Sequence, residues 1–475
     1  MRSLFAPVLL ASAGSTSPLL DLAVNTTDGS YSVSIDGAPW FPGGATAVWH
    51  NGTLFSSADG TLTIASAETF AGEDTMGAFA ATELAWTGGG GAVGLHTQFK
   101  AYAGYIIFEQ RNGPATLGGS GDKDGVATVF PSFRVTGADA AAGTPTRGAL
   151  GYTGDMVGAG YQSFEWTEGA AVPFGVNAGP LCVFAAAPAG AAGTAAVLSP
   201  AYNFMAAQQS YSAADSTLDY GVMGSVDGVP AGFSVQTIVA ASAAGVNNAM
   251  MAWGDALLHK YGKGRAAVDD DLTLNYLGYS TDNGAFYYYY TEPGTNYETT
   301  ILDVKAYADE VGLPYRHWLA DSYWYFKGDK NGVKNWTAMP ELFPRGLEYV
   351  TNATGWEIVG HNRYWSDNTD YATQNGGEYE FAIDATSQYA VPLTQAFWDD
   401  LMESSKKWGL SVYEQDWLDS EYDNVGVLHT NATLARTWLM QMGTAAQKHG
   451  LTIQCALLAA LPASCPPPPR YPLAY

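Results

Sequence analysis

Residues 411–420 read SVYEQDWLDS, and they follow 393–409, LTQAFWDDLMESSKKWG. The first run is strand-like and apolar until Glu414 and Asp416. The second carries apolar residues at helical spacing and closes on a glycine, where a helix C-cap belongs. A helix, a glycine and then a buried strand that ends in carboxylates is one unit of a repeating βα pattern.

Working outward, the same alternation recurs on both sides. Upstream lie 272–281 LTLNYLGYST, 296–312 NYETTILDVKAYADEVG, 314–326 PYRHWLADSYWYF, 339–355 MPELFPRGLEYVTNATG and 356–365 WEIVGHNRYW. Downstream, 431–450 NATLARTWLMQMGTAAQKHG leads into 451–454 LTIQ. Strand and helix in regular succession predict a parallel sheet, at the pace of a TIM (β/α)8 barrel. Polar residues gather where these strands end: Asp282 after the first, Asp321 after the second, His361 and Arg363 after the third, Glu414, Asp416 and Trp417 after the fourth. In such barrels the carboxyl ends of the strands carry the active site.

The first half of the chain has a different texture. Runs such as 30–40 SYSVSIDGAPW, 125–135 GVATVFPSFRV and 233–242 FSVQTIVAAS alternate with period two between Gly and Asp-Gly turns. They predict half-buried antiparallel strands packed as a large sandwich. At 248–266, NAMMAWGDALLHKYGKGRA switches to helical spacing and reads as a linker helix.

At 475 residues, with 47% apolar and 13% aromatic residues, the chain can bury a large core. Its formal net charge of -25 opposes binding to nucleic acid or to an anionic membrane surface, so a neutral partner fits better. Three cysteines, Cys182, Cys455 and Cys465, make no disulfide framework and no metal-ligand spacing; neither metal nor organic cofactor is expected. The start, MRSLFAPVLLASAGS, has one early positive charge, a short apolar run and small residues, which predicts a secretory signal and no membrane span. Sequons at Asn25, Asn51, Asn335, Asn352 and Asn431 agree with a secreted glycoprotein. The expected division is 1–18 signal peptide, 19–245 antiparallel β-supersandwich, 246–270 linker helix, 271–454 partial (β/α)8 barrel and 455–475 an Ala/Pro-rich tail.

Paired carboxylates beside aromatic side chains suit the cleavage of glycosidic bonds, which needs one carboxyl group to attack and one to donate a proton. Asp416 is the candidate nucleophile. Asp282, Asp321, Trp324, His361, Arg363, Glu414 and Trp417 are candidate substrate-binding residues, with Tyr323 and Trp324 as a stacking wall. For the run 281–290 TDNGAFYYYY, strand alternation would leave half of its tyrosines in the core.

On LGYSTDNGAFYYYY, WLADSYWYF, GHNRYW and VYEQDWL, residues 20–454 resemble the α-galactosidase and raffinose-synthase group of retaining glycoside hydrolases. That resemblance implies double displacement with Asp416 as nucleophile, Asp321 binding hydroxyls, and a carbohydrate as substrate. Two departures stand out. The lysine expected two residues before the nucleophile is Glu414, and after Gln454 the text turns into CALLAALPASCPPPPRYPLAY, where no sixth strand and no acid/base carboxylate can be read. The expectation is therefore an incomplete barrel with little or no hydrolysis. The alternatives are a non-catalytic carbohydrate-binding surface protein and a transglycosidase.

Overall fold

The computed structural model describes residues 19–139, 143–152, 161–172, 179–185, 193–264, 268–269 and 271–455. The expected signal peptide and nearly all of the Pro-rich tail lie outside these residues. The described chain forms two compact units, one ending at Gly262 and including His429–Arg436, the other starting at Lys263.

The first unit is all but entirely antiparallel β. A nine-stranded sheet runs in the spatial order Tyr161–Glu165, Arg147–Tyr152, Leu181–Ala185, Ala195–Tyr202, Ser234–Ser242, Tyr105–Asn112, Val93–Ala101, Gly77–Gly88, Leu62–Asp74. Three three-stranded sheets accompany it, one of them Leu20–Val24, Tyr31–Ile35 and Ala38–Pro42. Strict alternation in Tyr31–Ile35 buries Tyr31, Val33 and Ile35 together with Leu84, Trp86, Phe99 and Phe108 of the large sheet. Each such side chain contributes about 1.5–3 kcal/mol by leaving water, so this face dominates the unit's stability.

The helix Val246–Lys260 is part of this unit and not a linker. Its Ala249 is wholly buried with Cys182, Ala195 and Val197 of the large sheet, and Trp253 Nε1 donates to Ser199 Oγ at 2.7 Å. Helical spacing showed the apolar stripe, but not what the stripe packs on.

The second unit contains the expected parallel sheet. Its strands are β1 (Gly278–Ser280), β2 (His317–Ala320), β3 (Glu357–Asn362), β4 (Leu410–Gln415) and β5 (Thr452–Cys455), hydrogen-bonded in that order and all parallel. Helices α1 (Tyr297–Val311), α2 (Leu347–Thr354), α3 (Gln395–Lys407) and α4 (Leu434–His449) occupy the four crossovers. Strands β3 and β4 are buried over nearly their whole length, as central parallel strands are. Gly360 lets the strands pack closely: a Cβ there would lie 2.7 Å from Leu410 Cδ1, so that side chain would have to shift. Asn296 caps α1 by accepting from Thr299 N–H at 2.9 Å, and left-handed Gly312 (φ 75°) and Gly355 (φ 68°) end α1 and α2 as the sequence predicts.

A second five-stranded sheet was not expected. Tyr325–Lys327, Val333–Ala338, Trp365–Ser366, Tyr389–Pro392 and Phe381–Asp384 come from the excursions that follow β2 and β3. These excursions carry the aromatic residues that pack beside the strand ends. The tyrosine run 287–290 is not a strand but a turn-rich loop, with Tyr287 (φ 65°) and Tyr289 (φ 57°) in the left-handed region.

Candidate active site

The carboxyl ends of β1 to β4 bring the predicted residues together. His361 and Asn362 end β3, Glu414 lies in β4, and Asp416 follows one residue beyond it. His361 Nε2 is 3.0 Å from Asp416 Oδ2, and its Nδ1 is 3.2 Å from the Tyr325 hydroxyl. Register fixes this pairing: His361 sits opposite Glu414 in the parallel ladder, and Asp416 N–H donates to Asn362 O at 2.8 Å. Asp416 Oδ1 also accepts from Trp417 N–H at 2.9 Å. Both carboxylate oxygens are thereby oriented, while the group keeps 18% of its side-chain exposure.

Glu414 is buried. Its Oε1 accepts from Gln454 Nε2 of β5 at 3.3 Å, and its Oε2 has no partner. Burial pushes its carboxyl up to about 7; the charge of His361 opposes this, and Asp416, Asp321 and Asp282 add to it. On Asp282, partial burial raises the carboxyl, the Asn283 N–H opposes, and Asp321 raises it further. His361 is wholly buried, which by itself lowers its imidazole, but the bond to Asp416 and the charges of Asp321, Glu414 and Asp416 outweigh burial and raise it. These linked effects identify Asp282, Asp321, His361, Glu414 and Asp416 as one electrostatic cluster, the kind of arrangement that marks functional sites.

Arg363 lies with its Cζ 4.8 Å from the Trp417 ring centre, a cation–π contact that fixes both at the rim of the cluster. Trp417 adopts a left-handed conformation (φ 55°), which costs a non-glycine residue on the order of 1–2 kcal/mol. Asp321 is buried and accepts from Ser322 Oγ at 2.8 Å; Ser322 in turn is 2.6 Å from Tyr289 Oη.

Trp324 corrects the sequence reading. It is wholly buried, 5.0 Å from Trp336 and 5.5 Å from Trp408 between ring centres, so it cannot form a stacking wall. Tyr323 is buried as well, stacked on Tyr297 at 3.8 Å. Tyr325 and Tyr288 are the residues sequence reasoning missed. Tyr325 holds the second nitrogen of His361, and the Tyr288 hydroxyl is raised first by burial and then by the charge of Asp321, with Tyr289 and Asp282 adding to it. No spacing signal marks Tyr325, since residues 321–325 are all buried and a turn precedes the strand that Tyr325 opens.

No family model matches the sequence, and no curated protein matches it. Solved structures do. The chain is similar to a variant of a GH36 α-galactosidase from Geobacillus stearothermophilus in complex with raffinose, with TM-score 0.57, 12% identity, 87% of this chain covered and 61% of that one. It is similar to the α-galactosidase from Lactobacillus brevis, with TM-score 0.56, 10% identity and coverage of 87% and 59%. It is also similar to a glycoside hydrolase family 97 enzyme from Pseudoalteromonas sp. strain K8 in complex with acarbose, with TM-score 0.53, 10% identity and coverage of 92% and 64%. The chain thus spans about three fifths of the length of these structures. Over that span it has an α-galactosidase-like glycoside hydrolase fold.

Proposed function

We propose that this chain carries the nucleophile of a retaining, α-galactosidase-like glycosidase site, on a (β/α)8-type barrel preceded by a β-supersandwich. The observation that carries this reading is the Asp416–His361 pair at the strand ends, with Asp282, Asp321 and Glu414 around it. A carboxylate whose oxygens are oriented by Trp417 N–H and His361 is positioned to attack an anomeric carbon. The glycosyl ester formed at Asp416 would then be released to water or to a second sugar. Asp321 and Asp282 would accept hydrogen bonds from sugar hydroxyls, and Trp417 on Arg363 offers an apolar ring face at the rim.

An activated glycoside tests the nucleophile by itself, because its leaving group needs no proton donation. We infer, further, that the protein is secreted and glycosylated; the exposure of Asn51, Asn352 and Asn431 supports acceptor roles for these sequons, with Asn25 and Asn335 half-buried. Among the described residues no helix is long and apolar enough to cross a membrane.

The test is turnover of a dinitrophenyl α-galactoside, whose leaving group needs no acid, by the intact chain and by Asp416→Asn. Release that vanishes in the variant supports the reading, and equal release by both would overturn it.

A further inference from the structure

Asp321 is a buried carboxylate whose hydrogen bonds lead out of the cluster to the surface. Asp321 and Ser322 are each 4% exposed, and Ser322 gives both of its donors to one oxygen: its N–H and its Oγ, the latter at 2.8 Å, bond Asp321 Oδ1. Ser322 Oγ is 2.6 Å from Tyr289 Oη, and that hydroxyl is bonded in turn by Lys327 Nζ, which lies 4.4 Å from the centre of the same ring. Tyr289 is 48% exposed, so four side chains carry one line of hydrogen bonds from the surface to a buried carboxylate.

The chemistry of its two ends fixes the direction of this line. An ammonium can only donate and a carboxylate only accepts, so Lys327 donates to Tyr289, Tyr289 to Ser322 and Ser322 to Asp321. Reversing either hydroxyl would set two donors or two acceptors face to face. Hydrogen bonds aligned in this way polarise one another, and the first of them is charge-assisted. Among the described residues no carboxylate lies within ion-pair distance of Lys327, so none competes with Tyr289 for its charge. Tyr289 itself is in the left-handed region (φ 57°), with its ring edge-on to buried Tyr323 at 6.1 Å. A tyrosine keeps such a conformation only where its surroundings over-determine it, and strain of that kind gathers at functional sites.

We propose that Lys327 and Tyr289 are positioning residues for Asp321, acting through Ser322 to fix the plane of its carboxylate for a sugar hydroxyl. This deepens the glycosidase reading above and rests on it for the role of Asp321. It gives a member of the tyrosine run 287–290 a part in the site, and it brings in Lys327, which ends the strand Tyr325–Lys327 of the second sheet.

The experiment is titration calorimetry of the intact chain with galactose, together with kcat and KM on the dinitrophenyl α-galactoside, repeated for Tyr289→Phe, Lys327→Met, their double variant and Lys327→Arg. Each of the first two is expected to weaken galactose binding about threefold to tenfold, the scale of one hydrogen bond, and to raise KM by a similar factor while kcat changes less. Because both act through one chain, the double variant should lose no more than about twofold beyond the worse single, whereas independent contacts would multiply. Lys327→Arg keeps a charged donor and should recover part of the loss. Unchanged affinity in both single variants, or losses that multiply in the double, would overturn the proposal and leave Asp416 to its own test. If the intact chain binds no galactose, the glycosidase reading and this inference fail together. Should Tyr289→Phe not fold, Lys327→Met against Lys327→Arg decides, and equal affinity in those two would overturn the proposal.

Discussion

His361 Nε2 lies 3.0 Å from Asp416 Oδ2, linking the end of the third parallel strand to the residue just past the fourth. The same imidazole contacts the buried Tyr325 hydroxyl at 3.2 Å, so the carboxylate is oriented through a ring that is itself held. If Asp416 is the nucleophile, His361 acts by orienting it, and loss of His361 should act on turnover more than on binding. His361→Ala is expected to lower kcat on an activated glycoside by about 10²-fold with a smaller change in KM, and His361→Gln to recover part of it. Steady-state kinetics of both variants checks this. A KM effect larger than the kcat effect would make His361 a binding residue instead.

Trp324 and Trp417 should separate stability from binding. Trp324→Ala empties a buried site among Trp336, Trp408 and Tyr325, and is expected to cost about 3–5 kcal/mol in denaturant unfolding. Trp417→Gly relieves a left-handed conformation while deleting the partner of Arg363, so its unfolding free energy should change by less than about 1–2 kcal/mol and its sugar affinity should fall. Matched melts and binding isotherms decide between these outcomes.

The electrostatic cluster predicts the sign of a pH effect on stability. Glu414, Asp282 and His361 all have folded-state values raised above their ordinary ones. For each, the protonated form is favoured in the folded chain, so its contribution is fully present below the unfolded value and is lost as pH rises through the folded one. For Glu414 that window runs from 4.5 to about 7, and at about 1.4 kcal/mol per unit the loss is on the order of 3 kcal/mol. Asp384 and Asp399 are lowered, but are surface groups whose effect belongs to more acidic solution. Urea unfolding from about pH 4.5 to 8 should therefore show stability declining for the unmodified chain and a flatter profile for Glu414→Gln. A profile unchanged by that substitution would show that Glu414 is ionised in the folded chain across the range.

The helix Val246–Lys260 gives a test of domain assignment. Ala249 is wholly buried against Cys182, Ala195 and Val197, so Ala249→Leu should overpack the large sheet and cost about 1–3 kcal/mol. The thiol of Cys182, pushed by burial up to about 11, should resist alkylation in the native protein and react once the large sheet unfolds. If Ala249→Leu leaves the melt unchanged, the helix is a loose connector after all.

The strand order of the parallel sheet was legible because period and punctuation are local: each helix carries its own apolar stripe, and Gly312 and Gly355 end helices where the text says they should. The clustering of Asp282, Asp321, His361, Glu414 and Asp416 was legible for a topological reason, since the ends of adjacent parallel strands meet in space. What could not be read depends on long-range packing. DSYWYF leaves the second strand through a turn and enters Tyr325–Lys327 of the second sheet with Asp321 to Tyr325 all buried, and nothing local tells a core tryptophan from a stacking surface. Trp324 was misassigned for that reason. The Tyr325 contact to His361 spans 36 residues and leaves no spacing signal. The apolar stripe of Val246–Lys260 was visible, but besides the adjacent Ser234–Ser242 it packs on Leu181–Ala185 and Ala195–Tyr202, which lie far upstream in the chain.

The most direct test of the central claim is covalent trapping. Incubating the intact chain with a 2-deoxy-2-fluoro α-galactosyl fluoride should slow hydrolysis of the glycosyl ester and let it accumulate. Peptide mass spectrometry is expected to find one fluorosugar, attached at Asp416, and none in the Asp416→Asn variant. A fluorosugar found on Asp321, Asp282 or Glu414, or an unlabelled protein under conditions where the sugar binds, would contradict the assignment of Asp416 as nucleophile.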